Sequence, residues 1–563
     1  MSRLHGKNLL KRQLGGLPLL HTIVQRMGLH EILSRYIPLH GNEVVPIPDT
    51  LILLIYNLTM GKDPLYKLEE WVENIDKQCI HLDKYDTQSF GDDRFGRALD
   101  KLYKIDRASM MTEIVLAVIK EFDIQMDRVH NDSTSVKAYG QIPGKTKSGL
   151  ELRRGHSKDH RPDLKQLLFS LSISADGGIP VHYKSYSGNR TDDTTHIETW
   201  DMLRKIIGSE RFLYVADCKV CTDKQLEYID GQGGRVVTIM PETWREVSDF
   251  KTMLRKSPHP KIEIWRRGKP RDKKKIEYFS CFQGEYKTYK RGYNIHWIFS
   301  SAKKNRDQMS REERLKKAEQ SITELNAKLN TYHLKTETEI QAAIQKILNA
   351  NRVVSFIIVK LGQVEEMSLQ QLTQGRPGAN TQYQEIIRSL YTLTWYRDRD
   401  ALEAERRVDG VFPLLSTDSS LSAKEVLQGY KYQPVLEKRF SQFKSVHNAA
   451  PLFFKNIERV EANMFMFFVA LIVQSLLERE IRRTMKESNV TSLQIYPEQR
   501  ESKLPTTNCI MEAFGGISRY KITQHDRVLE EYTDQLSDVQ LNVLKLIGMH
   551  PSTFWNFQKK QRG

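Results

Sequence analysis

Residues 123–136 read DIQMDRVHNDSTSV, and this stretch decides the fold. Before it, LLHTIVQRMGLHEILSRYI (19–37) and RALDKLYKIDRASMMTEIVLAVIKEF (97–122) space their apolar residues as helices do. Within it the pattern shortens to alternation, which predicts a strand ending at Asp132. Downstream, LKQLLFSLSIS (164–174) and IPVHYKSYS (179–187) flank Asp176-Gly177-Gly178, a turn sequence that accepts positive φ and so predicts a hairpin. A helical stretch (194–207) leads to the short apolar run RFLYVADC, ending at Asp217. A helix opened by Thr222 with Gln225 as a capping box follows, and then a strand in RVVTIMP (235–241).

The predicted order β-β-β-α-β-α-β, with one acid at the end of the first strand and another at the end of the fourth, is what a ribonuclease H-like fold requires. Those strands are neighbours in that fold, so Asp132 and Asp217 meet although they are far apart in sequence. A third carboxylate is expected from a later helix. The fold class is therefore α/β, with a mixed sheet flanked by helices, interrupted by a large β-rich and helical insertion and preceded by an all-α domain. The expected divisions are 1–120 (helical, DNA-binding), 121–244 (first part of the core), 245–405 (insertion), 406–480 (rest of the core) and 481–563 (helical).

With 563 residues, 39% hydrophobic and 28% charged, the chain has the composition of a soluble globular protein. The apolar runs LILLIYNL (51–58) and MFMFFVALIV (464–473) fall short of a bilayer span and predict buried helices, with no membrane partner. The N-terminus has no secretory pattern, and five cysteines argue against a disulfide framework, so a cytoplasmic, nucleoid-associated setting is expected. The lone Cys218-x-x-Cys221 lacks the second ligand pair of a zinc site. A net charge of +16 draws the chain to polyanions.

The insertion concentrates that charge. Seven of the ten residues from Arg266 to Lys275 are basic, and Trp265, Tyr286, Tyr289, Tyr293 and Trp297 stand among the cations of the insertion, which suits phosphate contact by Arg266 and Arg267 and base stacking by the aromatics or, alternatively, a solvated hairpin. Ser310-x-x-Glu313 reads as a capping box opening a helix, with Leu315, Ala318, Ile322, Leu325 and Leu329 as an apolar stripe for packing or dimerisation. In ERRVDGVFPLLSTD (405–418) an Asp-Gly turn precedes an apolar run, predicting a return to the core sheet. Ser422-x-x-Glu425 caps a short helix, and Pro434 suits a helix start. A polar loop with His156, Ser157, Lys158, His160, Arg161 and Lys165 is compatible with DNA phosphates, whereas Asp192 and Asp193 read as turn or cap residues.

Tyr430, Gln433, Glu437 and Lys444 stand at spacings of three, four and seven, and this resembles the Tyr-Arg-Glu-Lys signature of a large group of bacterial insertion-sequence DDE transposases, with Gln433 where that group has arginine. HNDSTSV resembles the first-acid motif, while GHSKDHRPDLKQ (155–166), SGNRTDD (187–193) and YKYQPVLEKRFSQFK (430–444) resemble later segments, so the likeness covers roughly residues 120–480. It implies a catalytic triad of Asp132, Asp217 and Glu437 holding two Mg²⁺ ions, or Mn²⁺ in their place. It also implies Tyr430, Gln433 and Lys444 on DNA; Lys158 and Arg161 are read as further contacts from the basic loop that holds them, the alternative being a solvated loop. The implied activity is cleavage at terminal inverted repeats and strand transfer into target duplex by a homodimer, with a DNA hairpin during excision. Two other readings are a transposase-derived DNA-binding protein without catalysis and a nuclease acting on RNA or hybrids.

Overall fold

The computed structural model describes residues 8–555 except 40, 42, 62, 139–143, 156–162, 191–194, 270, 271, 332, 333, 373, 380, 447–455 and 526. The chain divides into two compact units, Met1–Thr238 with Gln428–Gly563, and Ile239–Leu427.

The first unit begins with β1 (Asn8–Gln13) and a run of helices, then enters a sheet of β2 (Arg128–Lys137), β3 (Gln166–Ser174), β4 (Pro180–Ser187), β5 (Leu213–Ala216) and β6 (Arg235–Ile239). Their order is β4-β3-β2-β5-β6. The first three are antiparallel, and β2, β5 and β6 run parallel. Helices His196–Ile207 and Asp223–Gly231 make the crossovers, so the succession β-β-β-α-β-α-β is the one predicted. Every residue of β3 is buried, as in a sheet covered on both faces.

Asp132 does not end its strand. Parallel pairing of β2 with β5 stops at Asn131 and Ala216, but antiparallel pairing with β3 continues to Lys137. The acid therefore sits where one neighbour gives out and the other goes on. Between β3 and β4 the predicted turn forms with φ of 77° at Gly177 and 65° at Gly178. A Cβ at Gly178 would meet Val435 at 2.8 Å, and one at Gly177 would meet Arg479 at the same distance, so glycine is needed for space as well as conformation.

The 31-residue helix Ile457–Glu487 forms the axis of this unit. It is the one helix among the described residues long and apolar enough to cross a membrane, yet 94% of that stretch is buried inside the protein. Helices Leu17–Arg26, Ile47–Tyr56 and Asp92–Lys104 pack on it, as does β4. Tyr183 of β4 lies against Phe468, and Phe169 of β3 stacks on Phe443 at 4.4 Å.

In the second unit, β7 (Lys261–Lys269), β8 (Asp272–Phe282) and β9 (Asn294–Ser300) form an antiparallel sheet. Helices Ser301–Asn326 and Glu337–Ala350 follow, then a long hairpin of β10 (Ile357–Gln371) and β11 (Tyr383–Arg397) that sequence reading did not anticipate. The unit closes with β12 (Val411–Ser416), paired antiparallel with β9. The apolar run of 411–416 is thus a strand as expected, placed on β9.

Three expectations are corrected. Ser310 opens no helix: Ser300, the last residue of β9, caps the helix by accepting from the Lys303 amide at 3.1 Å, so Ser310 is mid-helix. The N-terminal region is not all-α, because β1 pairs with β13 (Ser518–Gln524), which pairs with β14 (Arg527–Thr533). The C-terminal region is accordingly not purely helical. The stripe from Leu315 to Leu329 is consumed internally, buried against Ile340, Ile344, Leu348 and the base of the β10–β11 hairpin.

A buried ion pair holds the first unit's helices to its sheet. Arg439 is 2% exposed, donates to the carbonyls of Gly178 (3.0 Å) and Gly177 (2.9 Å), and meets Glu478 of the long helix at 2.9 Å. Burial pushes the Glu478 carboxyl up, but Arg439 and Arg482 outweigh it and hold the group below its ordinary 4.5. A carboxyl lowered on folding adds stability above its unfolded value, and that stability is lost as pH falls through the folded value. Arg439→Ala, which strands a buried carboxylate, should lower unfolding free energy by about 3–5 kcal/mol in urea melts at neutral pH. Glu478→Gln should flatten the decline in stability seen as wild type is acidified below about 4.5.

Candidate active site

The register of β2 and β5 pairs Asn131 with Ala216, so the next residues along these parallel strands are Asp132 and Asp217. Both are half-buried. The Asp132 carboxylate accepts from the Ser133 amide at 2.7 Å. Two hydrogen bonds hold Asp217, its carboxylate accepting from the Lys219 amide at 3.0 Å and its carbonyl from the Thr238 hydroxyl at 2.7 Å, and His196 Nε2 stands 3.9 Å from Oδ1.

His196, the first residue of its helix, is 3% exposed, and its Nδ1 lies 2.9 Å from the Tyr214 hydroxyl. Burial, with Tyr186, Asp217 and Asp132 nearby, drives the Tyr214 phenol well above its ordinary value, so the hydroxyl beside Nδ1 keeps its proton. The other ring nitrogen, Nε2, faces the Asp217 carboxylate from beyond hydrogen-bond length. Sequence reading missed this histidine; its only signal was its place at the start of the helix that precedes the strand leading to Asp217.

Glu437 arrives on the helix Gln433–Ser441, with Pro434 in the first turn as predicted. That helix is fastened to β2 through Gln433, whose side-chain oxygen lies 3.3 Å from His130 Nδ1 and whose amide donates to the Asn131 carbonyl at 3.3 Å. Glu437 is one turn further on, exposed, on the same face. Tyr430 lies among the acids: burial first, then Asp217, Cys218, Glu437 and Asp132, raise its phenol to about 12. Among the described residues no group of three His, Cys, Asp or Glu side chains stands close enough to hold a metal ion. The acids gather at one end of the sheet without closing a cage.

The residues expected on DNA fare differently. Gln433 is only 9% exposed and donates its amide to β2, so in this structure it serves as a strut between the helix and the sheet. Burial lowers His130 to about 3, which leaves a neutral ring for Gln433 to meet and suits an uncharged side chain. Lys444 is half-buried in a π-helical turn, Gln442–Val446, whose wider turn shifts it off the α-helical phase of Glu437. Arg266 is paired with Glu263, and Arg267 meets Glu277 at 2.8 Å, so both carry their own counter-charge. Trp265 stacks on Phe279 and Trp297 on Phe250, at 5.2 and 3.9 Å, as packing aromatics. His156, Ser157, Lys158, His160, Arg161, Asp192 and Asp193 lie outside the described residues.

A family profile described as a domain of unknown function (DUF4277) matches residues 10–116. No curated protein matches the chain. Among solved structures, the chain is similar to one titled as the cryo-EM structure of a piggyBac transposase synaptic complex with hairpin DNA, at 9% identity and a TM-score of 0.34, covering 88% of this chain and 79% of that one.

Gln433→Ala removes both polar contacts to β2 while leaving the three acids in place. It should cost about 1–3 kcal/mol in chemical denaturation, the penalty for an unsatisfied buried group. Gln433→Arg should also destabilise, since it places a cation against a histidine that burial keeps neutral.

Proposed function

We propose that the chain is a DDE-type DNA transposase with a ribonuclease H-like core, which cleaves at transposon ends and joins them to target DNA. The observation that carries this reading is the convergence of Asp132 and Asp217, at adjacent positions of parallel strands, with Glu437 on a helix tied to the same strand. The signature spacing of Tyr430, Glu437 and Lys444 supports it.

Three carboxylates are hard oxygen donors of the kind that Mg²⁺ or Mn²⁺ takes. Asp132, Asp217 and Glu437 would hold two such ions, which when bound stabilise the attacking and leaving oxygens of an in-line phosphoryl displacement. The protein's own part is positional. The Lys219 amide orients the Asp217 carboxylate, with His196 beside it, and Gln433 ties the helix that carries Glu437 to β2. Tyr430 stays protonated at neutral pH and can donate a hydrogen bond to a phosphate oxygen. Terminal inverted repeats and target duplex are the proposed partners, with a hairpin on the excised end.

The open arrangement of the acids favours one alternative, a transposase-derived protein that binds DNA without cutting it. Incubating the purified chain with a duplex carrying the flanking inverted repeat and Mg²⁺ or Mn²⁺ separates the two. Cleavage is expected in wild type and absent in Asp132→Asn, Asp217→Asn and Glu437→Gln, while gel-shift binding persists in all four. Uncut DNA with wild type under both metals would sink the catalytic reading. His196→Ala should raise the Mg²⁺ concentration for half-maximal cleavage by about 10- to 100-fold, the usual effect of losing a group that orients a metal ligand. His196→Gln should recover part of it.

A further inference from the structure

The hairpin β10–β11 forms a two-stranded sheet of its own. One face carries Val359 opposite Trp395, Leu361 opposite Leu393 and, further out, Met367 opposite Ile387. At the base this face is covered, with Leu393 at 4% and Tyr391 at 9% exposure in the cluster formed with Ile322 and Ile344 of the two helices. Past Gln363 the cover ends while the apolar character continues: Met367 and Ile387 are each 64% exposed, Leu369 66% and Tyr383 48%. A two-stranded ribbon is marginal in water by itself. An apolar strip projecting beyond its support marks a surface that is covered in use.

The charge identifies what covers it. Residues 362–389 hold Arg376 and Arg388 against Glu365, Glu366 and Glu385, a net of −1 within a chain of +16. Such a tip is unsuited to phosphate. The register puts Glu365 and Glu385 on the apolar face itself, flanking Met367 and Leu369. An apolar patch edged by carboxylates fits a basic protein surface, and the remainder of this same chain is basic.

We infer that the β10–β11 arm is a dimerisation arm, each copy laying its apolar, acid-edged tip on the basic surface of the other. Each tip offers on the order of 400 Å² of apolar surface. Two arms, with the surface they cover, bury roughly 1,600 Å², the size of a specific interface. This exchange is two-fold and closes on itself, so it stops at a dimer.

Sedimentation velocity of the full chain at micromolar concentration tests the inference without DNA or metal, and so independently of the enzymatic reading. Wild type is expected to be dimeric. Met367→Ser with Ile387→Thr, checked for folding by circular dichroism, should weaken the dimer at least about tenfold, as expected for uncovering two large apolar side chains. Glu365→Lys with Glu385→Lys should weaken it too. If the first double variant does not fold, replacing residues 366–388 by an Asn-Gly turn keeps the buried base and decides the matter. A monomeric wild type, or a folded variant that dimerises as wild type does, overturns the proposal.

Discussion

Everything near the acids depends on where the Arg439 guanidinium is anchored. It is buried, it caps two carbonyls of the Gly177-Gly178 turn, and its charge is met by Glu478 and also touches Gln442. Those partners belong to three pieces of chain: a hairpin turn, the helix that carries Glu437, and the long central helix. A guanidinium can do this because its planar fork presents five donors in fixed directions, and a lysine in its place would satisfy only part of the set. A second arginine, Arg479, repeats the arrangement from the long helix, pairing with Asp176 of the same turn and donating to the carbonyls of Phe122 and Asp123 just before β2. The turn between β3 and β4 is therefore the structural junction of the first unit, and its two glycines leave room for both arginines.

The site inherits its geometry from that junction. Glu437 lies two residues before Arg439, so whatever fixes the arginine fixes the height of the helix along the sheet. Gln433, one turn before Glu437, then fixes its rotation against β2. With anchors on either side, the position of an exposed glutamate is set by buried neighbours and not by its own contacts. The other two acids are set differently, by strand register at the point where β2 loses its parallel partner. Two independent constraints, one helical and one of the sheet, bring three carboxylates to one end without holding them in contact.

How much of this could be read from the sequence follows from the range of the interactions. Local signals worked: the two-glycine turn, Pro434 in the first turn of its helix, and the reciprocal cap of Ser422 and Glu425 are each encoded within four residues. The crossover order worked because each element has its own periodicity. Failures came where the partner is remote. β1 is a short, largely exposed strand whose only ladder is with β13, at the other end of the chain. Ser310 resembled a cap, but Ser300 came first, and nothing between them breaks a helix. The β10–β11 hairpin eluded reading because its outer half buries nothing, and Glu365 and Glu385 interrupt the alternation of its apolar face. Gln433 and His196 were hidden for another reason: one sequence letter cannot tell whether a polar side chain is spent on the protein or offered to a ligand.

That distinction bears on the net charge of +16, which first pointed to nucleic acid. Counting cations overstates what is available. Arg266 and Arg267 lie in the most basic decapeptide of the insertion, yet each is matched to a glutamate. Arg311, Arg439 and Arg519 are buried against Asp409, Glu478 and Asp76 and serve only the fold. A paired arginine can still meet a phosphate, but only by giving up its carboxylate, and the exchange returns little net energy where the pair is exposed. Affinity for a polyanion therefore depends on cations with no such commitment, and those are distributed by the fold, not by composition. The arm carries the same logic in the opposite direction: it is the stretch where a basic chain has become neutral to slightly acidic, and where exposed apolar side chains lie between carboxylates. If the chain holds DNA and meets its own kind as proposed, that separation would serve it, since the net charge of the arm is opposite in sign to that of the rest of the chain.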